Sequence, residues 1–271
     1  MVEDAQSKTW SKAALLLVGH GSSRLPVSRL ATARLAQAIR ARGLFAEVQE
    51  CFWKEEPQLS LDLVRAETVY VVPNFAGEGT YTRRLIPEKL GLEGTVSAVA
   101  GRRVIYCEPV GCHPAIPQLL VRRAEELCAG QALDPRRVAL LIVGHGARHG
   151  GVSRTPEAVA AAVRASGRFA EVAAVYIEQE PRVADWPAAV GAASVIVAPL
   201  LISEGMHASE DLPPLFGLSV PVGGPSAAAG RTVWLMGGIG RDPEVADVIL
   251  DQVRRADALR APPAACGASP G

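Results

Sequence analysis

"LLLVGHGSS" (residues 15–23) and "LLIVGHGAR" (residues 140–148) are one phrase written twice: an apolar run that stops on a histidine held between two glycines. An apolar run without alternation suits a strand covered by helices on both faces, and therefore a parallel sheet. A histidine directly after such a strand stands at the sheet's carboxyl edge, where open α/β sheets bind ligands. The repetition thus bears on fold and function together.

Self-similarity on this scale marks a duplicated unit. "FAEV" at 45–48 returns at 169–172, each followed by an "EP" pair, Glu56-Pro57 and Glu180-Pro181. "PNFAGEGTYTRRLIPEKLGL" from Pro73 aligns with "PLLISEGMHASEDLPPLFGL" from Pro199, and "AGRRVIYCEPVGCHP" from Ala100 aligns with "AGRTVWLMGGIGRDP" from Ala229. Strands are expected near 13–18, 45–52, 68–73 and 102–107, and again near 138–143, 169–176, 194–199 and 231–236, with helix-period segments between them. The expected fold class is α/β: two tandem flavodoxin-like domains, residues 1–133 and 134–271, each a roughly four-stranded parallel sheet flanked by helices. The boundary falls in "CAGQALDPRR" (128–137), where Gly, Asp and Pro interrupt a helical pattern. In the first helix Pro26 suits the opening turn, Val27, Leu30, Ala31, Leu35, Ala38 and Ile39 form the apolar stripe, and Gly43 ends it. The tail "APPAACGASPG" has no apolar period, so disorder is expected after about residue 260.

A chain of 271 residues, 49% hydrophobic and 21% charged, can bury a substantial core. Its 28 basic and 28 acidic residues cancel, so no global charge calls for nucleic acid or an anionic membrane surface. No apolar run is long enough to cross a bilayer, and "MVEDAQSKTWSK" lacks the basic-then-apolar order of a signal peptide. A cytoplasmic protein with no membrane partner is expected. Cys51, Cys107, Cys112, Cys128 and Cys266 form no CxxC pair and leave one over, so they read as free thiols.

In the second half three strand ends converge on one rim: His145 after the first strand, Glu178 after the second, and Glu204 and His207 in "EGMH" after the third. Two imidazoles and a carboxylate without a thiolate suit a divalent cobalt, iron, nickel or zinc ion. A lone strand-end histidine is commonly structural, whereas a pair at one rim points to ligation. In the first half His20 matches His145, but Lys54 stands for Glu178 and Tyr81 for His207. An ammonium repels a cation, so only the second half is expected to host the full metal site. Around the first rim His20, Arg24, Arg83 and Arg84 remain, and the arginines suit either carboxylates and phosphates or a solvated face. "GHGSS" ahead of a helix also suits an anion on backbone amides, although histidine phosphatases place an arginine where Gly19 and Gly144 stand here. His113 in "GCHP" and its counterpart Asp242 in "GRDP" are assigned to helix capping in preference to ligation.

On "LLIVGHGAR", "VYIEQEP" and "VIVAPLLISEGMHASEDLP" the chain resembles the sirohydrochlorin cobaltochelatase and ferrochelatase family, the class II chelatases, in two tandem copies. The resemblance implies ATP-independent insertion of a divalent metal, cobalt before iron, into sirohydrochlorin or a related tetrapyrrole of cobalamin or siroheme biosynthesis. The metal, Co2+ or Fe2+, enters as substrate, and no cofactor is permanently bound. It implies further that His145, His207 and Glu178 are both metal ligands and catalytic groups, while His20, Arg24, Arg83 and Arg84 meet the substrate. The first half departs from the pattern at Lys54 and Tyr81 and is left as a wall of the cleft. A monomer with pseudo-dimeric internal symmetry is expected. A tetrapyrrole or metal carrier of the same fold is the competing reading.

Overall fold

The computed structural model describes residues 10–23, 26–147, 153–203, 212–219 and 222–258. The expected disordered tail, with Cys266, lies outside them. β1 (Ala13–Gly19), β2 (Glu47–Phe52), β3 (Thr68–Pro73), β4 (Val96–Val99) and β5 (Arg102–Tyr106) form one sheet in the order β2-β1-β3-β5-β4. A second sheet repeats it with β6 (Val138–Gly144), β7 (Glu171–Tyr176), β8 (Ser194–Pro199), β9 (Gly223–Ala228) and β10 (Arg231–Leu235), in the order β7-β6-β8-β10-β9. β1 and β6 lie in the sheet interiors, fully buried along their length, as their unbroken apolar runs require.

Each sheet has five strands where four were expected, because β4 and β9 add an antiparallel edge to four parallel strands. Both join the next strand through two residues at positive φ, Ala100 (48°) with Gly101 (77°) and Ala229 (50°) with Gly230 (73°). Such hairpin turns normally announce themselves as Asn-Gly or Asp-Gly, and the alanine hides them. β9 is hidden further by its composition, "GGPSAA", which argues against a strand. The first helix also differs in phase. A 3-10 turn at Pro26–Arg29 precedes α1 (Leu30–Ala41), whose buried residues are Ala31, Thr32, Leu35, Ala36 and Ile39, while Leu30 and Ala38 face solvent. The tighter opening turn rotates the stripe away from the one drawn from Val27.

Four helices fill the space between the sheets: α1, α3 (Ile116–Gly130), α4 (Thr155–Ala165) and α7 (Val245–Ala258). One continuous cluster joins Leu15, Leu17 and Val72 of the first sheet to Leu140, Ile142 and Ile196 of the second. The outer faces carry their own clusters, beneath α2 (Ile86–Leu90) on the first sheet and beneath α5 (Trp186–Ala189) and α6 (Leu212–Leu215) on the second.

The last helix of each repeat crosses to the other. α3 packs on α4 and β8, and α7 packs on α1 and β3. The polar contacts that fasten the exchange come in matched pairs. His113 Nε2 lies 2.8 Å from Asp251 Oδ2, and Arg122 Nη2 donates to Asp242 Oδ2 at 2.8 Å. The Gln252 amide donates to the carbonyls of Glu108 and Pro109, and Arg123 donates to those of Gly237 and Gly238. Within each pair of contacts the residues are separated by the same repeat spacing as Ala100 and Ala229. Residue i touching j while j touches i is the mark of a two-fold interface between identical units. Here that interface lies inside a single chain. His113 Nδ1 also accepts from the Ala115 amide at 3.1 Å, and Asp242 Oδ1 from the Glu244 amide at 2.9 Å, so both residues cap the turns that lead into the exchanged helices.

Candidate metal and macrocycle site

β1 and β6 end at Gly19 and Gly144, and His20 and His145 follow at the carboxyl edges of their sheets. A Cβ on Gly19 would sit 2.8 Å from the Phe52 ring, and one on Gly144 would sit 2.3 Å from Pro156. Gly21 and Gly146 hold φ of +68° and +81°, which disfavours any side chain there. Glycine on both sides of each histidine is therefore a steric requirement of the strand-to-loop turn. The Lys54 amide donates to the His20 carbonyl at 3.0 Å, and the Glu178 amide donates to the His145 carbonyl at 2.8 Å. This main-chain hook sets position 54 or 178 beside its histidine whatever side chain it carries.

One residue further on, the two halves clamp the histidine loop in similar ways. Glu55 Oε1 accepts from the Ser22 amide (3.2 Å) and the Ser28 hydroxyl (3.4 Å), and Gln179 bonds both the amide and the carbonyl of Ser153. Sequence reasoning missed these positioning residues. The available signal was their place, directly after the candidate ligand in "KEEP" and "EQEP".

At the second rim His145 Nδ1 lies 3.2 Å from the Gly146 carbonyl oxygen and 3.8 Å from Glu178 Oε2. A proton on Nδ1 suits both neighbours and leaves the lone pair on Nε2, the nitrogen able to ligate. The Glu178 side chain is 12% exposed and that of His145 45%, so a sheltered carboxylate backs an accessible imidazole. Two of the three expected ligands are thus brought together. His207, with Glu204, lies outside the described residues, and among the described residues no three His, Cys, Asp or Glu side chains gather.

The first rim is chemically different. The His20 ring meets Tyr81 edge-on at 4.9 Å between centroids and Phe75 at 6.2 Å, and Tyr81 lies 5.6 Å from Trp53. Tyr81 opens a π-helical turn, Tyr81–Leu85, that runs into α2. Burial pushes the His20 pKa below its ordinary value; the Gly21 carbonyl opposes that, while the Lys54 ammonium and the His145 imidazole reinforce it. The Glu78 amide, in the loop after β3, donates to Thr155 Oγ1 at 3.3 Å, so the loop of the first rim touches the start of α4 in the second half. Arg83 and Arg84 are exposed, the first paired with Glu78 (Nε to Oε2 3.1 Å) and the second 4.0 Å from Glu88. Arg24 lies outside the described residues. His113 is buried with both ring nitrogens engaged, by Asp251 and by the Ala115 amide.

The CbiX family model matches this chain twice, over residues 14–127 and 139–256. The chain belongs to the CbiX family. Across its length it is similar to a probable sirohydrochlorin cobaltochelatase of Halobacterium salinarum, 34% identical over 269 residues that cover 90% of this chain and 91% of that protein. A sirohydrochlorin cobaltochelatase of Methanopyrus kandleri is 30% identical over 137 residues, 42% of this chain but 95% of that one, so the relative is about one repeat long. Among solved structures, a multi-domain Deinococcus radiodurans protein with structural similarity to chelatases superposes with a TM-score of 0.74 at 32% identity, over 89% of this chain. This chain spans 54% of that protein. SirB from Bacillus subtilis, solved with Fe3+, shares the fold with a TM-score of 0.70 at 19% identity, covering 92% of this chain and 96% of that one. No helix among the described residues is long and apolar enough to cross a membrane.

Proposed function

We propose that this CbiX-family chain is a sirohydrochlorin metal chelatase that inserts a divalent ion, cobalt in preference to iron, without ATP. The single observation that carries the reading is the Glu178 carboxylate beside His145 at the second rim, at the position where the first rim has an ammonium. Insertion exchanges two pyrrole N–H bonds for metal–nitrogen bonds, sends two protons to solvent, and requires water to be stripped from the incoming ion. His145 and His207 offer imidazole nitrogens, which bind a borderline dication without an irreversible grip. Glu178 adds a hard oxygen and the negative charge that draws the ion in. Residues 134–271 act as the metal half, and residues 1–133 cover the macrocycle, with His20, Arg24, Arg83 and Arg84 toward its body and carboxylates. One chain supplies both halves and works as a monomer in the cytoplasm.

The test follows the absorbance of metal-free sirohydrochlorin mixed with the purified chain and Co2+ or Fe2+, offered separately and without nucleotide. Insertion above the spontaneous rate, fastest with cobalt, is expected. Ring binding without acceleration would convert the reading to a carrier, and neither binding nor acceleration would overturn it.

A further inference from the structure

The copy that lacks the metal ligands is the copy that carries the rings. Trp53, Phe75 and Tyr81 are all partly exposed at the first rim. The aligned positions of the second half hold Ile177, Leu201 and His207. Resting on the chelatase reading, we propose that Trp53, Phe75 and Tyr81, gathered about His20, form an aromatic face against which the conjugated macrocycle lies, so that ring recognition and metal delivery are divided between the two halves.

The geometry suits that task. Tyr81 and Phe75 lie 6.1 Å apart with their planes inclined by only 27°, so the two rings present nearly parallel faces. His20 and Trp53 meet Tyr81 at 84° and 74°, bracing it edge-on without covering both faces. The Lys89 ammonium sits 5.2 Å from the Trp53 ring centroid, which fixes Trp53 in turn. Such a braced set loses little freedom when a flat ligand arrives, and stacking on a large conjugated ring favours offset parallel faces. The loop that carries Phe75 and Tyr81 touches the start of α4 through the Glu78 amide and Thr155 Oγ1, 3.3 Å apart, which sets this face against the half that holds the candidate metal ligands.

The second half supplies the informative substitutions, because its own fold accommodates Ile177 and Leu201 at these positions. Dissociation constants for metal-free sirohydrochlorin are measured by absorbance titration in the absence of metal, alongside calorimetric binding of Co2+ alone. Trp53→Ile with Phe75→Leu is expected to weaken ring binding about tenfold or more while leaving Co2+ binding unchanged, and Tyr81→Ala is expected to do the same. Tyr81→Phe, which keeps the ring, restores affinity. His145→Ala reverses the pattern, losing Co2+ and keeping the macrocycle. If the wild-type chain binds and metallates the ring but the aliphatic variants bind it equally well, the aromatic face is wrong and the chelatase reading stands. If the wild-type chain neither binds nor metallates the ring, both fall. A loss of Co2+ binding in the aliphatic variants would also overturn the division between halves.

Discussion

The two rims share a backbone and differ in charge. Gly19-His20-Gly21 and Gly144-His145-Gly146 make the same turn, and in each the histidine carbonyl receives the amide of the residue after the neighbouring strand. That amide belongs to Lys54 in one half and Glu178 in the other. Because the hook is main-chain, a change from anion to cation at this position costs the fold little, since neither hydrogen bond depends on the side chain. A duplicated unit can therefore invert the electrostatics of one copy and leave its architecture intact. The larger lesson is that the side chains that break the internal symmetry, Glu178 against Lys54 and His207 against Tyr81, tell the two rims apart, whereas the glycines that keep it report on folding.

The asymmetry is broken most directly by removing the proposed ligands. His145→Ala and His207→Ala are each expected to lower the insertion rate on the order of a hundredfold or more, and Glu178→Gln somewhat less, since a neutral amide still offers an oxygen. His20→Ala is expected to cost less than about tenfold, because it takes nothing from the ion. Insertion rates at saturating ring and limiting Co2+ measure all four, and equal losses at His20 and His145 would remove the distinction between halves. The converse variant sharpens it. Lys54→Glu with Tyr81→His rewrites the first rim in the residues of the second, and calorimetric Co2+ binding is expected to rise from one ion per chain to two. A stoichiometry that stays at one would mean that the backbone hook is not sufficient to define the site.

The exchanged helices give a comparison of stability. His113 with Asp251 and Arg122 with Asp242 are related by the internal two-fold but not equally sheltered: the Asp242 side chain is 7% exposed and that of Asp251 is 41%. Asp242→Ala removes a helix cap and a sheltered acceptor of the Arg122 guanidinium, and is expected to cost about 2 kcal/mol in urea unfolding. Asp251→Ala is expected to cost about 1 kcal/mol or less, because water can reach the vacated position. Equal costs would show that the internal two-fold governs energy as well as geometry.

Much of this was legible in the sequence. Eight strands, the two GHG turns and the cation at position 54 stand in short local patterns, since a buried parallel strand must be apolar throughout and its end must turn. β4 and β9 were not legible because their hairpins rest on Ala100 and Ala229 at positive φ, a conformation that alanine seldom advertises. The helix exchange was not legible either. The apolar stripe of α3 states that it packs on something, and nothing in Ile116–Gly130 says that the surface belongs to β8 and α4 in place of its own sheet. At the candidate site, His145 and Glu178 could be singled out because their chemistry is unusual at a strand end, and the structure sets them 3.8 Å apart. Trp53 and Phe75 escaped notice, and Tyr81 stood out only as the replacement of His207, because half-buried aromatics are ordinary until the contacts of Phe75 and Tyr81 with His20, and of Trp53 with Tyr81, are known.

The smallest expected effect concerns the imidazole of the first rim. Burial holds the His20 pKa below its ordinary value, so near pH 6 the unfolded chain takes up a proton that the folded chain resists. Stability contributed through this group is therefore complete above a pH of about 6.5 and declines as the pH falls from there toward the folded-state value. Wild-type and His20→Gln proteins are to be melted side by side between pH 5 and 8 in low salt. Both lose stability on acidification as carboxylates protonate, so the informative quantity is the difference between the two curves. That difference is expected to shift in favour of His20→Gln as the pH drops below about 6.5 and to be flat above it. A difference that stays flat throughout would mean that His20 is hydrated in solution, and the first rim would then be more open than the ring cluster about it requires.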